Sequence, residues 1–221
     1  KERVDLQHLP FCTIDPDDAK DFDDAIYYDT SKNALYVAIA DVSEYVSAFS
    51  ATDKEAKNRC FSIYFPHKSV PMLPRTLSEN ICSLRPDEPR LAFTFKISLN
   101  DDLSVKKEEL FSAIIKSKKR FTYNEVDKIL ENKSGCEQGI LDWLLPLHKI
   151  TQRLKQIRLK KGFDFRSKEL KMSLNDDGLI ASTHFESETP SHALIEDCML
   201  LANKVAAKMI RKGVFRNNAP A

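Results

Sequence analysis

Alternating apolar and polar positions predict a succession of β-hairpins along this chain. Residues 25–28 and 34–42 alternate and carry aromatic side chains, and residues 29–33 between them have the composition of a turn. Residues 91–99 and 105–117 form a second pair of strand-like segments. Shorter strands are predicted at residues 12–14, 62–65, 170–173 and 179–183, and a proline-containing loop at residues 66–74.

Helical spacing predicts four helices, at residues 52–59, 123–131, 138–160 and 191–212. Thr52 or Asp53 is the expected N-cap of the first helix, and Pro146 is expected to disturb the third. The fourth helix is amphipathic and is expected to end at Gly213. Because antiparallel hairpins mix with helices and no strand–helix–strand series repeats, we expect an α+β fold in which an antiparallel sheet packs against helices.

Composition excludes several classes of protein. The 221 residues are 42% hydrophobic and 30% charged, which is typical of a globular chain and not of a disordered one. The net charge is +1, so a nucleic-acid ligand would require basic residues gathered into patches. No apolar run approaches the roughly 20 residues of a membrane span, which excludes an integral membrane helix and argues against membrane partners.

Cysteine usage points to a reducing compartment. The five cysteines are scattered, odd in number and without a CxxC pair, which favours free thiols in a cytoplasmic protein over disulfides or structural zinc. The chain begins at Lys1, and we expect it to be a piece of a longer protein.

One segment concentrates acidic residues, since six of the ten residues from 15 to 24 are Asp. Crowded carboxylates raise one another's pKa, and a divalent cation removes that repulsion. Mg²⁺ prefers hard oxygen ligands, keeps several waters and commonly bridges carboxylates to a phosphate. Strands are predicted on both sides of the segment, so its carboxylates would point at one spot. This placement favours a Mg²⁺-dependent phosphoryl-transfer site over a solvated acidic turn.

Two other acidic motifs, the EF-hand loop and the DDxxD string, fit the same segment less well. An EF-hand loop beginning at Asp15 would need Gly at its sixth position and Glu at its twelfth, where this chain has Lys20 and Ile26. Residues 17–21 match the DDxxD string of isoprenoid synthases, which acts on a helix of an all-helical fold. Pro16 and the flanking strands disfavour that prenyl-transfer alternative.

The segment from Thr13 to Ala25, TIDPDDAKDFDDA, resembles the catalytic motif of the RNase II/RNase R family, the RNB exoribonucleases. Further blocks similar to the family are AIADVS at 38–43, SIYF at 62–65, PMLP at 71–74, GFDF at 162–165 and IEDCMLLAN at 195–203. Ala38 stands where the family often has His. The resemblance covers essentially all 221 residues and is closer to the RNase R branch.

This resemblance implies a hydrolytic 3′→5′ exoribonuclease that uses Mg²⁺, acts on single-stranded 3′ ends of RNA and releases nucleoside 5′-monophosphates. It implies that Asp15 and Asp24 are direct metal ligands. Asp21 and Asp23 would complete the shell of a second metal or orient the attacking water. Two metals about 4 Å apart can hold the attacking and leaving oxygens of an in-line displacement.

The resemblance also implies an aromatic grip on the 3′-terminal bases. Tyr64 and Phe165 fall where the family stacks aromatic rings on those bases, a contact that tolerates any base. Phe22 is expected to be a packing residue. Asp17 and Asp18 are expected to be solvated.

Family members carry OB-type cold-shock domains before the catalytic domain and an S1 domain after it. We expect residues 1–221 to be an RNB catalytic domain truncated at its C-terminal side, without those OB and S1 domains. The isolated piece is therefore expected to cleave RNA weakly or not at all, and a catalytically dead RNA-binding module is the alternative function. A helicase or the ribosome would be a candidate partner in RNA decay.

Overall fold

The computed structural model describes residues 2–65, 68–160, 162, 169–175, 177–210, 213 and 215. Strands within these residues are β1 Val4–Asp5, β2 Cys12–Asp15, β3 Asp24–Asp29, β4 Ala34–Ala40, β5 Ile63–Phe65, β6 Lys68–Val70, β7 Pro89–Leu99, β8 Val105–Lys116, β9 Lys119–Thr122, β10 Glu169–Leu174 and β11 Ile180–Glu186. Helices are α1 Ala51–Arg59, α2 Tyr123–Asn132, α3 Gln138–Leu159 and α4 Pro190–Met209. Val42–Glu44 forms a 3₁₀ turn, and Leu77–Ile81 forms a π-helical turn.

Seven strands form one sheet in the order β1-β8-β7-β4-β3-β2-β9. The predicted hairpins β3–β4 and β7–β8 are antiparallel neighbours, and β4 also pairs antiparallel with β7. The two edge strands, β1 and β9, lie parallel to β8 and β2. Strands β5–β6 and β10–β11 form two separate antiparallel pairs. The expected α+β fold is therefore confirmed.

Both faces of the large sheet are covered, as the central strand β4 illustrates. Leu35 and Val37 point into a core shared with the helices, whereas Ala34, Tyr36 and Ala38 belong to a second core on the opposite face. Side chains alternate between the two faces of a strand, so a strand with both faces covered is apolar almost throughout. The alternation seen in the sequence thus separates two cores rather than a core and solvent.

Helices α2, α3 and α4 supply the core on one face of the sheet. Trp143, Leu144 and Leu147 of α3 are nearly fully buried there, together with Leu194 and Cys198 of α4. The helix α3 continues through Pro146 without interruption. Because a proline removes only one backbone hydrogen bond, buried leucines on both sides of it can keep the helix intact.

Two helix ends differ from the prediction. The N-cap of α1 is Ser50, not Thr52 or Asp53, because the Ser50 hydroxyl accepts a hydrogen bond of 3.2 Å from the Asp53 amide. The helix α4 ends at Met209, since the backbone of Ile210 is extended. The predicted end at residue 212 lies outside the described residues.

Three short strands were not predicted. The strand β6 lies inside the expected loop of residues 66–74, where Ser69 pairs with Tyr64 of β5. The edge strands β1 and β9 have two and four residues, too few for a recognisable alternation. None of the helices in the described ranges has the length and apolar character needed to cross a membrane.

Candidate active site

The acidic loop, residues 15–24, connects two neighbouring strands of the large sheet. The strand β2 ends at Asp15 and β3 begins at Asp24. These strands are antiparallel, with Cys12 opposite Ile26. A loop between two antiparallel neighbouring strands leaves and re-enters the sheet at the same end of the strands. Asp15 and Asp24 therefore lie at one end of the sheet, as the strands predicted around the acidic segment implied.

The second half of the acidic loop is anchored by Ser83, a fully buried residue. The Ser83 hydroxyl accepts a hydrogen bond of 3.0 Å from the Phe22 amide and donates one of 3.0 Å to the Lys20 carbonyl. The Leu84 amide donates a further bond of 2.8 Å to the Phe22 carbonyl. Phe22 packs against the second core, which agrees with its expected packing role.

The first half of the acidic loop is held by Arg120 of the edge strand β9. Its Nη2 atom donates to the Asp17 carbonyl at 3.0 Å and also to the Pro16 carbonyl. The guanidinium carbon lies 5.5 Å from the centre of the Phe22 ring. The loop is thus attached to the rest of the protein on both sides of Lys20.

Burial raises the pKa of three carboxyl groups in this loop. Desolvation raises the pKa of Asp15 to about 7. The Thr13 side chain opposes this rise, the charge of Asp24 adds to it, and Arg120 has a smaller opposing effect. Desolvation followed by the charge of Asp23 raises the pKa of Asp24 to about 6. The pKa of Asp23 rises to about 6 through desolvation and the charge of Asp21. The four predicted acidic residues therefore act on one another electrostatically.

The donor chemistry of the loop suits a hard divalent cation. Asp15 is 9% exposed, and its buried Oδ2 has no hydrogen-bond partner among the described residues. A cation near such carboxylates would remove both the desolvation cost and their mutual repulsion. In the described ranges, however, no three His, Cys, Asp or Glu side chains are arranged to hold a metal by themselves. Mg²⁺ retains waters and binds substrate phosphate, so it does not require a complete protein cage.

Tyr64 lies beside the acidic loop and lines a cleft of about 280 Å³. Its side chain is 67% exposed, and its hydroxyl donates a hydrogen bond of 2.9 Å to Oδ2 of Asp21. Burial of the hydroxyl, then this bond, raises the pKa of Tyr64. Asp21, Asp23, Met72 and Leu73 also line this cleft. An exposed ring beside carboxylates is a suitable surface for a nucleotide base.

The structure brings together most of the predicted site residues. Asp15, Asp21, Asp23 and Asp24 share one loop, and Tyr64 contacts it. The second predicted aromatic, Phe165, lies outside the described residues. Asp17 and Asp18 are exposed, as expected for solvated members of the acidic segment.

Two residues that hold the loop, Arg120 and Ser83, were not recognised from the sequence. Arg120 lies 103 positions from the Asp17 carbonyl that it contacts, and Ser83 lies 63 positions from Lys20. No local pattern in the sequence connects either residue to the acidic loop.

This chain is similar to known proteins over nearly its whole length. A family model described as the RNB domain matches residues 3–219. The chain is 44% identical over 224 aligned residues to a Ribonuclease R of Helicobacter pylori, covering 99% of this chain and 34% of the relative.

Two solved structures of Mycoplasma genitalium RNase R are also similar to this chain, each 37% identical over 94% of it. One is in complex with ribose-methylated single-stranded RNA, with a TM-score of 0.89 over 33% of that chain. The other is in complex with double-stranded RNA, with a TM-score of 0.90 over 38% of that chain. This chain therefore spans about a third of the length of the relatives that it matches.

Proposed function

This chain belongs to the RNB domain family, and we propose that it carries the catalytic acidic loop of a Mg²⁺-dependent 3′→5′ exoribonuclease. The observation that carries the proposal is the acidic loop itself. Four carboxylates share the loop that joins β2 to β3, three of them have raised pKa values, and the fourth accepts a hydrogen bond from Tyr64. Such an arrangement stores electrostatic repulsion that a bound cation and a phosphate-bearing substrate would relieve.

The proposed reaction is hydrolysis of the last phosphodiester at the 3′ end. Water attacks the phosphorus atom, and the bond from phosphorus to the 3′ oxygen of the preceding nucleotide breaks. The oxygen that leaves takes up a proton, so the shortened RNA ends in a 3′-hydroxyl. The released nucleotide keeps its phosphate on the 5′ position, which makes it a nucleoside 5′-monophosphate.

We assign the four carboxylates to two pairs with different roles in this reaction. Asp15 and Asp24 hold a divalent cation, since they leave the two strands at the same edge and Asp15 has a free buried oxygen. Asp21 and Asp23, which line the cleft, hold a second cation or orient the attacking water. Bound Mg²⁺ would stabilise the negative charge that develops on the attacking and leaving oxygens.

Tyr64 would hold the terminal base against the cleft. A ring that is 67% exposed offers its face for stacking, and stacking on an aromatic ring is worth roughly 1–3 kcal/mol per base whatever the base is. An enzyme that removes every nucleotide in turn needs a contact of this sequence-tolerant kind. The RNA complexes of the Mycoplasma genitalium relatives support RNA as the substrate class.

We also propose how active these residues are alone, and in which compartment and with what kind of partner the whole protein acts. Because the relatives are about three times as long as this chain, we propose that the 221 residues alone cleave weakly or not at all. All five cysteines are free, which supports the reducing cytoplasm as the compartment. A helicase or the ribosome is the kind of partner that would supply RNA ends there.

Digestion of a short single-stranded RNA by the whole protein tests the proposal. Label at the 5′ end should show stepwise shortening from the 3′ end, and chromatography of the products should show nucleoside 5′-monophosphates. EDTA should stop the reaction, and added Mg²⁺ should restore it. Nucleotides with a 3′-phosphate, or activity in EDTA equal to that in Mg²⁺, would contradict the proposal. Binding of RNA without cleavage would favour the dead RNA-binding module.

A further inference from the structure

Arg120 holds the first half of the acidic loop from a strand far away in sequence. We propose that Arg120 is a positioning residue, which fixes the Pro16–Lys20 segment so that Asp15 and Asp21 keep the relative placement that cation binding requires. This inference rests on the function proposed above for the acidic loop. It assigns to Arg120 a role that requires no contact with RNA.

The register of the sheet explains why Arg120 reaches the loop. The strand β9 lies parallel to β2, with Arg120 opposite Thr13 and Thr122 opposite Asp15. Residues two apart on a strand share a face, so Arg120 stands beside the strand end at which the loop begins. Its side chain extends along the strand direction to the Pro16 and Asp17 carbonyls.

Two of the three nitrogens of the Arg120 guanidinium are occupied or enclosed by the protein. Nη2 donates to two loop carbonyls, and Nε is buried without a partner among the described residues. Arg120 is absent from the residues that line the cleft beside Tyr64. These contacts bind the guanidinium to the acidic loop itself, which is the use expected of a positioning residue.

The guanidinium group suits this position better than an ammonium group would. One Nη atom donates to two carbonyls, while the guanidinium carbon lies over the Phe22 ring. A lysine ammonium could donate to these carbonyls but has no planar group to stack on the ring. Lysine at this position should therefore keep part of the effect, and alanine none of it.

The acidic loop is held at two places, by Ser83 and by Arg120, and each contact can be removed separately. Ser83 holds Lys20 and Phe22, whereas Arg120 holds Pro16 and Asp17. Loss of Arg120 leaves the Ser83 anchor in place, so only the first half of the loop should loosen. The Ala19 amide, which donates to the Pro16 carbonyl at 3.1 Å, reports on that half, and the Phe22 amide reports on the other.

Hydrogen exchange of the cation-free whole protein tests the anchor without any assay of activity. In Arg120→Ala, we expect the Ala19 amide to exchange about tenfold faster or more, with the Phe22 amide within about threefold of the parent. Ser83→Ala should give the reverse pattern. Arg153→Ala is the matched control, since Arg153 donates to the Asp101 carbonyl at 3.3 Å, outside the acidic loop.

Cation binding and kinetics provide the second readout. The concentration of Mg²⁺ that half-saturates binding, followed by calorimetry, should rise about tenfold in Arg120→Ala and less in Arg120→Lys. The kcat should fall at limiting Mg²⁺ and recover in part at high Mg²⁺, while the KM for RNA stays within about threefold. Because Arg120→Lys keeps the charge and one donor, it carries the test if Arg120→Ala does not fold.

Two results would overturn the inference. Unchanged Ala19 exchange and Mg²⁺ binding in both Arg120 variants would show that the contact does not position the loop. A KM for RNA raised about tenfold with an unchanged kcat would make Arg120 an RNA-binding residue instead. If the parent protein itself failed to cleave RNA, the proposed function would fail, but the exchange and calorimetry results would still decide the role of Arg120.

Discussion

The hydroxyl of Tyr64 donates a hydrogen bond of 2.9 Å to Oδ2 of Asp21. The two residues lie 43 positions apart in the sequence, one in the β5–β6 hairpin and the other in the acidic loop. This bond joins the ring proposed to hold the RNA end to a carboxylate proposed to act on it. The ring and the hydroxyl of Tyr64 can therefore be tested separately.

Tyr64→Ala is expected to weaken RNA binding and to change the length of the final product, whereas Tyr64→Phe should retain RNA affinity. The aromatic ring supplies the stacking, about 1–3 kcal/mol per base, and Phe keeps it. Tyr64→Phe removes only the bond to Asp21, so its effect should appear in turnover. Binding and product-length assays on one single-stranded RNA measure both variants.

Phe49→Ala is the control for loss of an exposed aromatic side chain. Phe49 is 78% exposed and does not line the cleft, so its removal should leave RNA affinity and products unchanged. If Tyr64→Ala lowers only the unfolding temperature, with affinity and products as in the parent, Tyr64 is a packing residue.

Asp23→Asn is expected to abolish cleavage while leaving RNA affinity within a few-fold of the parent. Phosphate contacts along a channel carry most nucleic-acid affinity, and one carboxylate adds little to it. The substitution keeps size and removes charge, so its cost should fall on the transition state. Steady-state cleavage and equilibrium binding, measured on the same RNA at the same salt concentration, test this expectation.

Asp17→Asn makes the same chemical change at an exposed position of the acidic loop and should cleave at close to the parent rate. An Asp23→Asn protein that cuts within about tenfold of the parent would remove Asp23 from the catalytic set. A variant that no longer binds RNA would mean that the loop shapes the binding channel itself.

The raised pKa values of Asp15 and Asp24 should make the cation-free protein less stable as pH rises. Their ordinary value is 3.8, whereas the folded values are about 7 and about 6. The folded state binds more protons in this interval, so the stabilising contribution is complete below pH 3.8 and is lost as pH rises through 6 and 7. In EDTA, the free energy of unfolding should fall on the order of 1–3 kcal/mol between about pH 5 and about pH 8.

Asp24→Asn isolates the contribution of one carboxyl group to this slope. Burial also raises the pKa values of Asp23, Glu196 and Asp197, so only the difference between parent and variant belongs to Asp24. Urea unfolding in EDTA should show a smaller loss at high pH in Asp24→Asn than in the parent or in the exposed control Asp18→Asn. Mg²⁺ should reduce the loss in the parent, and identical slopes in all three proteins would contradict this account.

Thr122 is the last residue of β9 and also the N-cap of α2. Its hydroxyl accepts a hydrogen bond of 3.1 Å from the Glu125 amide, and the Glu125 carboxylate accepts one of 2.7 Å from the Thr122 amide. Thr122→Val keeps the shape and removes the hydroxyl, so the free energy of unfolding should fall by about 1 kcal/mol. Thr122→Ser keeps the cap and should lose less. Equal losses in urea unfolding would assign the effect to packing rather than to the cap.

Local pattern was sufficient for the longer elements of the fold. The hairpins β3–β4 and β7–β8 fall within two residues of the predicted ranges, because alternation with a period of two records which face each side chain occupies. The strands β1, β6 and β9 are too short to show a recognisable alternation. Ser50 was missed as a cap because Thr52 and Asp53, close by, have equally suitable side chains.

The sequence by itself determined the chemistry of the candidate site and its place at one edge of the sheet. Six Asp residues lie within ten positions between two strands, so Asp15 and Asp24 meet wherever those strands pair. Only the tertiary structure decided which residues hold the loop and how far the pKa values of its carboxyl groups are raised. Arg120 and Ser83 reach the loop through docking of distant segments, and burial depends on what packs around each group. Local periodicity predicts neither the long-range contacts nor the desolvation, because both depend on residues that become neighbours only after folding.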